Sequence, residues 1–460
     1  MPLFAPHAVA LHPELWNLQS DGNALAWDGV PLEKVASMHG TPTYIASASR
    51  LEGNARSWLA AAAGCGIPVE SFYSFKTCPV PSLLRLLAQA GFGAEVVARH
   101  ELELAMLAGF APRRILYGGT ARTREELVFA VDTGVHCIIL DTIEELRILD
   151  GIARGRPGEI SIGLRLASGV MPRGTARING TSLKAHHFGF DVASEEFRAA
   201  LALVRSNPAL RLIAVHSHIG TGIRDLPAFA RNFQTLAAMA LRLRAEGFPL
   251  SIVNAGGGLA VPTVKEFSML EFLRFASGWR APEAPVVTGD LCLPYFSKLA
   301  AAYRDAFSGV PDAPLVHLEP GRAITSDAVL LLVRVAHVRQ RASRCIAVTD
   351  GGAMSTGMSV LGEFHELLPV HAPLRLRDRR ITIVGRVPTP LDVLCRNKSM
   401  PALAEGDLLA VMDAGAYMIP TATNFATAKA PVVLLEQGEM RLLARRETAG
   451  DLARREYPDA

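Results

Sequence analysis

The sequence is short of cysteine, and the cysteines it has are not paired. Six are spread at irregular spacing over 460 residues, with no Cys-x-x-Cys. That excludes a secreted disulfide scaffold and a structural zinc knuckle, and it fits a reducing compartment. Neither sign of charge is in excess. Forty-seven basic residues face 44 acidic ones, interspersed, for a net charge of +3. The basic stripe that would track a nucleic-acid backbone is missing. Long apolar runs are missing too. The first sixteen residues lack the basic start and apolar centre of a secretory leader. The most apolar later stretch, 329–338, is broken by Arg334 and His337, so no membrane span is expected. There is no internal repeat and no low-complexity segment. With half its residues hydrophobic and a fifth charged, the chain reads as a cytoplasmic enzyme of two or three domains, or one large barrel with a smaller module.

What is present is alternation. Short apolar or β-branched runs at 67–75, 94–98, 114–118, 136–140, 160–166, 212–218, 251–255 and 315–318 are separated by helical patterns such as 81–90, 124–132, 143–149 and 227–246. Eight strand–helix repeats over 40–326 predict a (β/α)8 barrel; a doubly wound open sheet is the competitor, and the regular eightfold count favours closure. After residue 328 strand-like runs follow one another closely, with few helical patterns between them. Residues 327–460, joined by 1–39, therefore read as a mostly antiparallel β-barrel or β-sandwich domain.

In barrels of this kind, functional side chains project from the C-terminal ends of the strands. Strand one ends in Tyr73-Ser74-Phe75-Lys76, strand five carries Arg165, strand six ends His216-Ser217-His218-Ile219-Gly220-Thr221, strand seven ends Gly256-Gly257-Gly258, and strand eight ends Glu319-Pro320-Gly321-Arg322. Three glycines let backbone N–H groups approach an anion, and Gly321-Arg322 on the neighbouring strand adds a guanidinium, so the pair points to a phosphate. Lys76 closes a strand rich in aromatics; burial there would free its amine as a nucleophile for an aldehyde, although strand-end lysines also snorkel to solvent. Glu319 is placed to face a protonated ring nitrogen, or else to pair with Arg165. His216 and His218 share one face. They could supply a zinc pair, as in metal-dependent barrel hydrolases, but the other strand ends do not complete such a set. Alternatively, His218 could stack on a flat ring, or be a satisfied core histidine. An aldehyde, a ring nitrogen, a flat face and a phosphate together describe pyridoxal phosphate.

At these residues the chain resembles the alanine-racemase-fold (fold type III) pyridoxal-phosphate decarboxylases, the diaminopimelate and ornithine decarboxylase family. The likeness runs from about residue 40 to 425 through YSFKTCP, GFGAEVVARHELELAMLAG, HSHIGT, NAGGG, LEPGR, FHELLPV and MDAGAY. The resemblance implies that Lys76 carries the cofactor as a Schiff base, that His218 stacks on the ring and that Glu319 pairs with the pyridine nitrogen. It also implies that Gly256, Gly257, Gly258, Gly321, Arg322 and Thr221, where the family usually has serine, hold the phosphate. Arg165 and Tyr417 would also reach the cofactor. It implies a homodimer with active sites at the interface, an amino acid as substrate, and no metal.

The sequence departs from the family in one segment. Where the family has Gly-x-x-Cys followed by an acidic residue, this chain reads Gly385-Arg386-Val387-Pro388-Thr389, with Asp392 three residues on. Pro388 replaces the cysteine that returns a proton to the substrate carbon, and Thr389 replaces the carboxylate that grips a distal amine. The arginine that diaminopimelate enzymes place before the FHEL segment is also absent. The expected reaction is therefore decarboxylation of an amino acid other than free diaminopimelate, lysine or ornithine, such as a conjugated diamino acid of a specialised, siderophore-type pathway. Thr389 and Asp392 are the specificity candidates. Cys78, Cys292, Cys395, a tyrosine or water could supply the proton. A racemase or epimerase, or a decarboxylation-dependent transaminase, is the alternative activity.

Overall fold

Eight of the apolar runs form parallel strands that close on themselves in a computed structural model of the chain, which describes residues 10–20, 23–173, 187–278, 284–287, 289–341, 344–357 and 359–456. They are β1 (Val69–Ser74), β2 (Gly93–Val96), β3 (Ile115–Tyr117), β4 (Cys137–Leu140), β5 (Ile160–Arg165), β6 (Leu210–His216), β7 (Ile252–Asn254) and β8 (Leu315–Leu318). Each pairs with its sequence neighbour, and β8 returns to β1 in the register Val316↔Val69, His317↔Glu70, Leu318↔Ser71. The barrel is filled by side chains, among them Phe72, Leu116, Cys137, Ile139, Ile213, Ala214 and Ile252, all buried. Burying these apolar surfaces is the main force that closes the sheet.

The helices between strands carry local start and stop signals. Helix Pro81–Ala90 begins on a proline, which lacks only an N–H the helix could not use there, and ends at Gly91 in the left-handed region. Helix Arg124–Thr133 opens with a reciprocal capping box between Thr123 and Glu126 and stops at Gly134. Such caps fix where each helix ends, and so where the loops at the barrel mouth begin.

The chain divides into two compact units. One, residues 54–260 and 290–323, is the barrel; the other comprises 1–53, 261–289 and 324–460. Residues 40–53 and 261–289, which alternation alone places with the barrel, thus group with the β unit. That unit is organised on the long strand Val329–Arg341, which pairs antiparallel with Arg344–Thr349, Leu408–Val411 and Thr43–Ser47. Arg379–Val384 and Val432–Glu436 join in parallel fashion to Arg344–Thr349 and Thr43–Ser47, so the sheet is mostly, not wholly, antiparallel. Its core holds Trp16, Trp27, Leu330, Leu332, Val433 and Leu435. Buried indoles need partners for their N–H groups. Trp27 donates to the Trp16 carbonyl at 3.0 Å and Trp16 to the Asp413 carboxylate at 3.0 Å. Burial, with Asp327 nearby, pushes the Asp413 carboxyl up to about 6. Among the described residues no helix is long and apolar enough to cross a membrane.

Candidate active site

A cavity of about 350 Å³ opens among the strand ends of the barrel, lined by Lys76, Glu95, Arg165, Phe188, His216, His218 and Glu319 with Gly118, Gly119 and Thr120. Its volume suits a small ligand. Strand periodicity explains the convergence: β1 runs into a short 3-10 turn, Phe75–Thr77, that turns Lys76 inward, while β5, β6 and β8 contribute Arg165, His216 and, just past its last residue, Glu319.

Lys76 is not buried in an apolar sleeve, as its aromatic neighbours suggest. Its side chain is 41% exposed, and Nζ lies 2.8 Å from the Glu95 carboxylate, which is itself buried and accepts from Ser74 Oγ at 2.6 Å. The strand-end amine is thus held by an ion pair at the cavity wall, not by desolvation. Glu95 was not singled out by sequence reasoning. The available signal was an acidic residue inside the apolar run at 94–98, where a charge needs a partner to be tolerated.

Glu319 is buried beside two donors. Asn254 Nδ2 donates to it at 2.8 Å and His216 Nε2 lies 3.4 Å away. Burial alone would raise its carboxyl, but the charge and hydrogen bond of His216, with the charge of Lys76, outweigh that and hold it below the usual carboxylate range. Arg165 does not pair with Glu319. Its guanidinium lies 3.6 Å from Asp141 and stacks over the Phe188 ring at 4.5 Å. His218 is a half-buried, neutral imidazole. Desolvation, then the charges of Lys76 and Arg165, push it down to about 3, and its Nδ1 accepts the Gly257 N–H at 3.3 Å.

The glycine run after β7 is a close-packed brace between the ends of β6 and β8. A Cβ at Gly257 would overlap the Glu319 carbonyl oxygen, one at Gly258 the Gly220 carbonyl oxygen, and one at Gly321 the Thr77 hydroxyl. Gly256 and Gly258 also have φ of +68° and +105°, which side chains rarely adopt. Nearby, the Thr77 and Thr221 hydroxyls are buried with no hydrogen-bond partner among the described residues. Crowded glycines, orphaned hydroxyls and Arg322 at the end of β8 make a polar cradle with room only for backbone.

The match to a known family decides what the cradle and the lysine belong to. Residues 49–326 match the family described as pyridoxal-dependent decarboxylase, pyridoxal binding domain. The chain belongs to the pyridoxal-dependent decarboxylases. A relative from Actinosynnema pretiosum subsp. auranticum named diaminopimelate decarboxylase is 30% identical, covering 97% of this chain and 96% of its own. One from Methanothermobacter thermautotrophicus of the same name is 29% identical over 95% and 96%. The fold is shared with a diaminopimelate decarboxylase from M. jannaschii solved in co-complex with L-lysine, at 24% identity, TM-score 0.80, and 96% and 98% coverage. The decarboxylase is thus a pyridoxal-phosphate-dependent carboxy-lyase acting on an amino acid, and its barrel and β domain are the alanine-racemase-like pair. The residues present fit the cofactor: an amine on a strand end, an ionised buried carboxylate, a neutral flat imidazole, and a cradle with unsatisfied hydroxyl donors.

The remaining sequence candidates lie in the β unit. Tyr417 is half-buried with φ +68°, a left-handed conformation unusual for a bulky residue. Thr389 is half-buried on the loop between the strands Arg379–Val384 and Val393–Met400. Asp392 is buried, accepts the Val387 N–H at 2.8 Å and lies against the backbone of Gly352 and Gly385, so its carboxylate is built into that loop. Of the possible proton donors, Cys78 and Cys292 are pushed up to about 12 by burial and Cys395 to about 11, and none lines the cavity. Among the described residues no three His, Cys, Asp or Glu side chains are grouped as metal ligands.

Proposed function

We propose that this decarboxylase removes the α-carboxylate from an amino acid whose distal end is not a free ammonium, which sets aside free diaminopimelate, lysine and ornithine. The observation that carries this reading is the loop at 385–392. It presents Pro388 and Thr389, and its one carboxylate, Asp392, is buried and engaged by the Val387 N–H. Thr389 offers a cationic substrate tail no charge, and the one carboxylate of the loop is buried with an oxygen committed to the Val387 N–H. A conjugated diamino acid of a specialised, siderophore-type pathway has such a tail.

In this reading pyridoxal phosphate, when bound, supplies an aldehyde for a covalent link to an amine and a protonated ring that takes up the electrons left by the departing carboxylate. Lys76 would hold the cofactor through its aldehyde, and Glu95 keeps Nζ at the cavity wall. Glu319, ionised and backed by His216 and Asn254, holds the proton on the ring nitrogen; a buried anion in a water-poor site does this far better than solvent could. His218, a neutral side chain on the cavity wall, would hold the ring without adding a competing charge. Gly256, Gly257, Gly258, Gly321, Arg322 and Thr221 take the phosphate, and Arg165, steered by Asp141 and Phe188, and Tyr417 complete the contacts. Pro388 has no proton to give, so the substrate carbon is reprotonated by water or by a group other than a cysteine of that loop. The chain works as a cytoplasmic homodimer with its active sites at the interface, and the barrel unit, residues 54–260 and 290–323, is its cofactor domain.

The test is mass spectrometry of the pyridoxal-phosphate-loaded protein with a panel of amino acids that includes meso-diaminopimelate, lysine, ornithine, D-isomers and N-conjugated diamino acids. Carbon dioxide from a member with a blocked or acidic distal end, well above the rate for free meso-diaminopimelate, is expected. Fastest turnover of free meso-diaminopimelate would refute the substrate reading.

A further inference from the structure

A second cavity, of about 360 Å³, lies wholly within the β unit against the loop at 385–392. Its wall includes Arg344, Thr382, Thr389, Arg396 and Asn397, and its only acidic member among the described residues is Asp392. Neither arginine has a carboxylate partner among the described residues. Arg344 sits exposed at the start of the strand Arg344–Thr349. The Arg396 guanidinium stacks 5.6 Å from the Phe275 centroid and donates once, at 3.4 Å, to the Pro390 carbonyl, while its buried Nε–H has no acceptor. Asp392 makes no ion pair with either arginine among the described residues: one of its oxygens accepts the Val387 N–H, and the carboxylate packs against the backbone of Gly352 and Gly385. The hydroxyl of Thr382 accepts the Asn397 N–H at 3.1 Å and that of Thr389 the Leu391 N–H at 3.4 Å, which leaves their O–H protons to donate. The cavity is therefore rich in donors, with two guanidinium cations against one carboxylate and a buried N–H in want of an acceptor.

We propose that this cavity binds a small carboxylate-bearing molecule, its carboxylate held by Arg396 and Arg344. A guanidinium fixed by an aromatic ring is pre-organised for a planar, two-oxygen acceptor, which favours a carboxylate over a compact halide. The same chemistry has two sources. The carboxylate is either the distal end of the substrate, in which case the assignment rests on the decarboxylation proposed above and narrows its substrate to an acidic-tailed amino acid, or it belongs to a free metabolite that acts as an effector.

The experiment is calorimetric titration of glutarate into the pyridoxal-phosphate-loaded protein at low salt, for the wild type, Arg344→Gln, Arg396→Gln and Arg396→Lys. One glutarate per chain is expected, with affinity lowered at least about tenfold by either Gln substitution and only partly kept by Lys, which retains charge but not the two-pronged geometry. Arg344 is exposed, so its variant reports binding even if Arg396→Gln disturbs packing on Phe275. Absence of saturable binding, or equal binding in the Gln variants, overturns the proposal. Steady-state carbon dioxide release then separates the sources: glutarate that raises KM with kcat unchanged marks a substrate tail, and glutarate that changes kcat marks an effector. Saturating glutarate that alters neither parameter overturns the functional assignment. If no amino acid yields carbon dioxide while glutarate still binds through the two arginines, the proposed function fails and this site stands.

Discussion

His317 offers a quantitative test of how the barrel interior is built. It lies on β8, two residues before Glu319 and so on the same strand face. It is 1% exposed, 4.6 Å from the Phe72 ring and 5.6 Å from the His136 ring, and neither of its ring nitrogens has a hydrogen-bond partner among the described residues. Desolvation, then His136, push it down to about 3. An unfolded histidine titrates near 6.5, so between those values the unfolded chain binds a proton that the folded chain refuses. Stability therefore falls as pH drops below 6.5, and at pH 5 the penalty from this one residue is about 2 kcal/mol, against nearly nothing at pH 7.5. Replacing it by leucine removes the titrating group and puts an apolar side chain in an apolar layer. Urea unfolding followed by circular dichroism should give His317→Leu and wild type similar stability at pH 7.5. At pH 5 the variant should be more stable by about 2 kcal/mol. His218, likewise pushed down to about 3, supplies a comparable acid sensitivity that remains in the variant. A pH dependence between 5 and 7.5 that is unchanged by His317→Leu would refute the reasoning.

Other perturbations bear on the mouth of the barrel. Arg122 and Glu145 form a buried pair at 2.9 Å, and Arg122 also donates to the carbonyls of Tyr117, Gly118 and Ile139, which shape one wall of the cavity. Arg122→Met leaves a buried carboxylate alone and should cost about 3–5 kcal/mol in urea unfolding. Gly257→Ala, whose Cβ would strike the Glu319 carbonyl, should cost about 1–3 kcal/mol and weaken cofactor binding in an absorbance titration. Glu95→Gln keeps the shape and a neutral acceptor beside Lys76 but removes the charge. It should lower kcat by about 10²-fold or less with the circular dichroism spectrum unchanged, and a wild-type kcat would remove Glu95 from the machinery.

Much of the barrel was legible because its strands are runs of Ile, Val and Leu bounded by turn residues, and because functional groups cluster at strand ends. Lys76, His218, Glu319 and the glycine run could be picked by position alone. Glu95 could not, since its role depends on which strand lies beside β1. The strand Val393–Met400 depends on tertiary partners in the same way. Arg396, Asn397 and Lys398 are polar residues in mid-strand, and Lys398 is buried, 3.2 Å from Glu366, which also takes the Arg377 guanidinium at 3.0 Å. Tertiary partners there override local propensity. The segment 261–289 looked like part of the barrel because alternation records the order of elements, not which core they join. The inward turn of Asp392 is equally invisible in sequence, as it depends on Gly352 and Gly385 leaving space for a carboxylate.

The central claim is that Lys76, at the end of β1, is the residue that carries the cofactor. Borohydride reduction of the pyridoxal-phosphate-loaded protein, followed by peptide mass spectrometry, tests it directly. The account predicts a single phosphopyridoxyl group on the peptide containing Tyr73-Ser74-Phe75-Lys76, lost in Lys76→Ala together with the visible absorbance band. Stoichiometric labelling of any other lysine, or an unchanged band in Lys76→Ala, would contradict it.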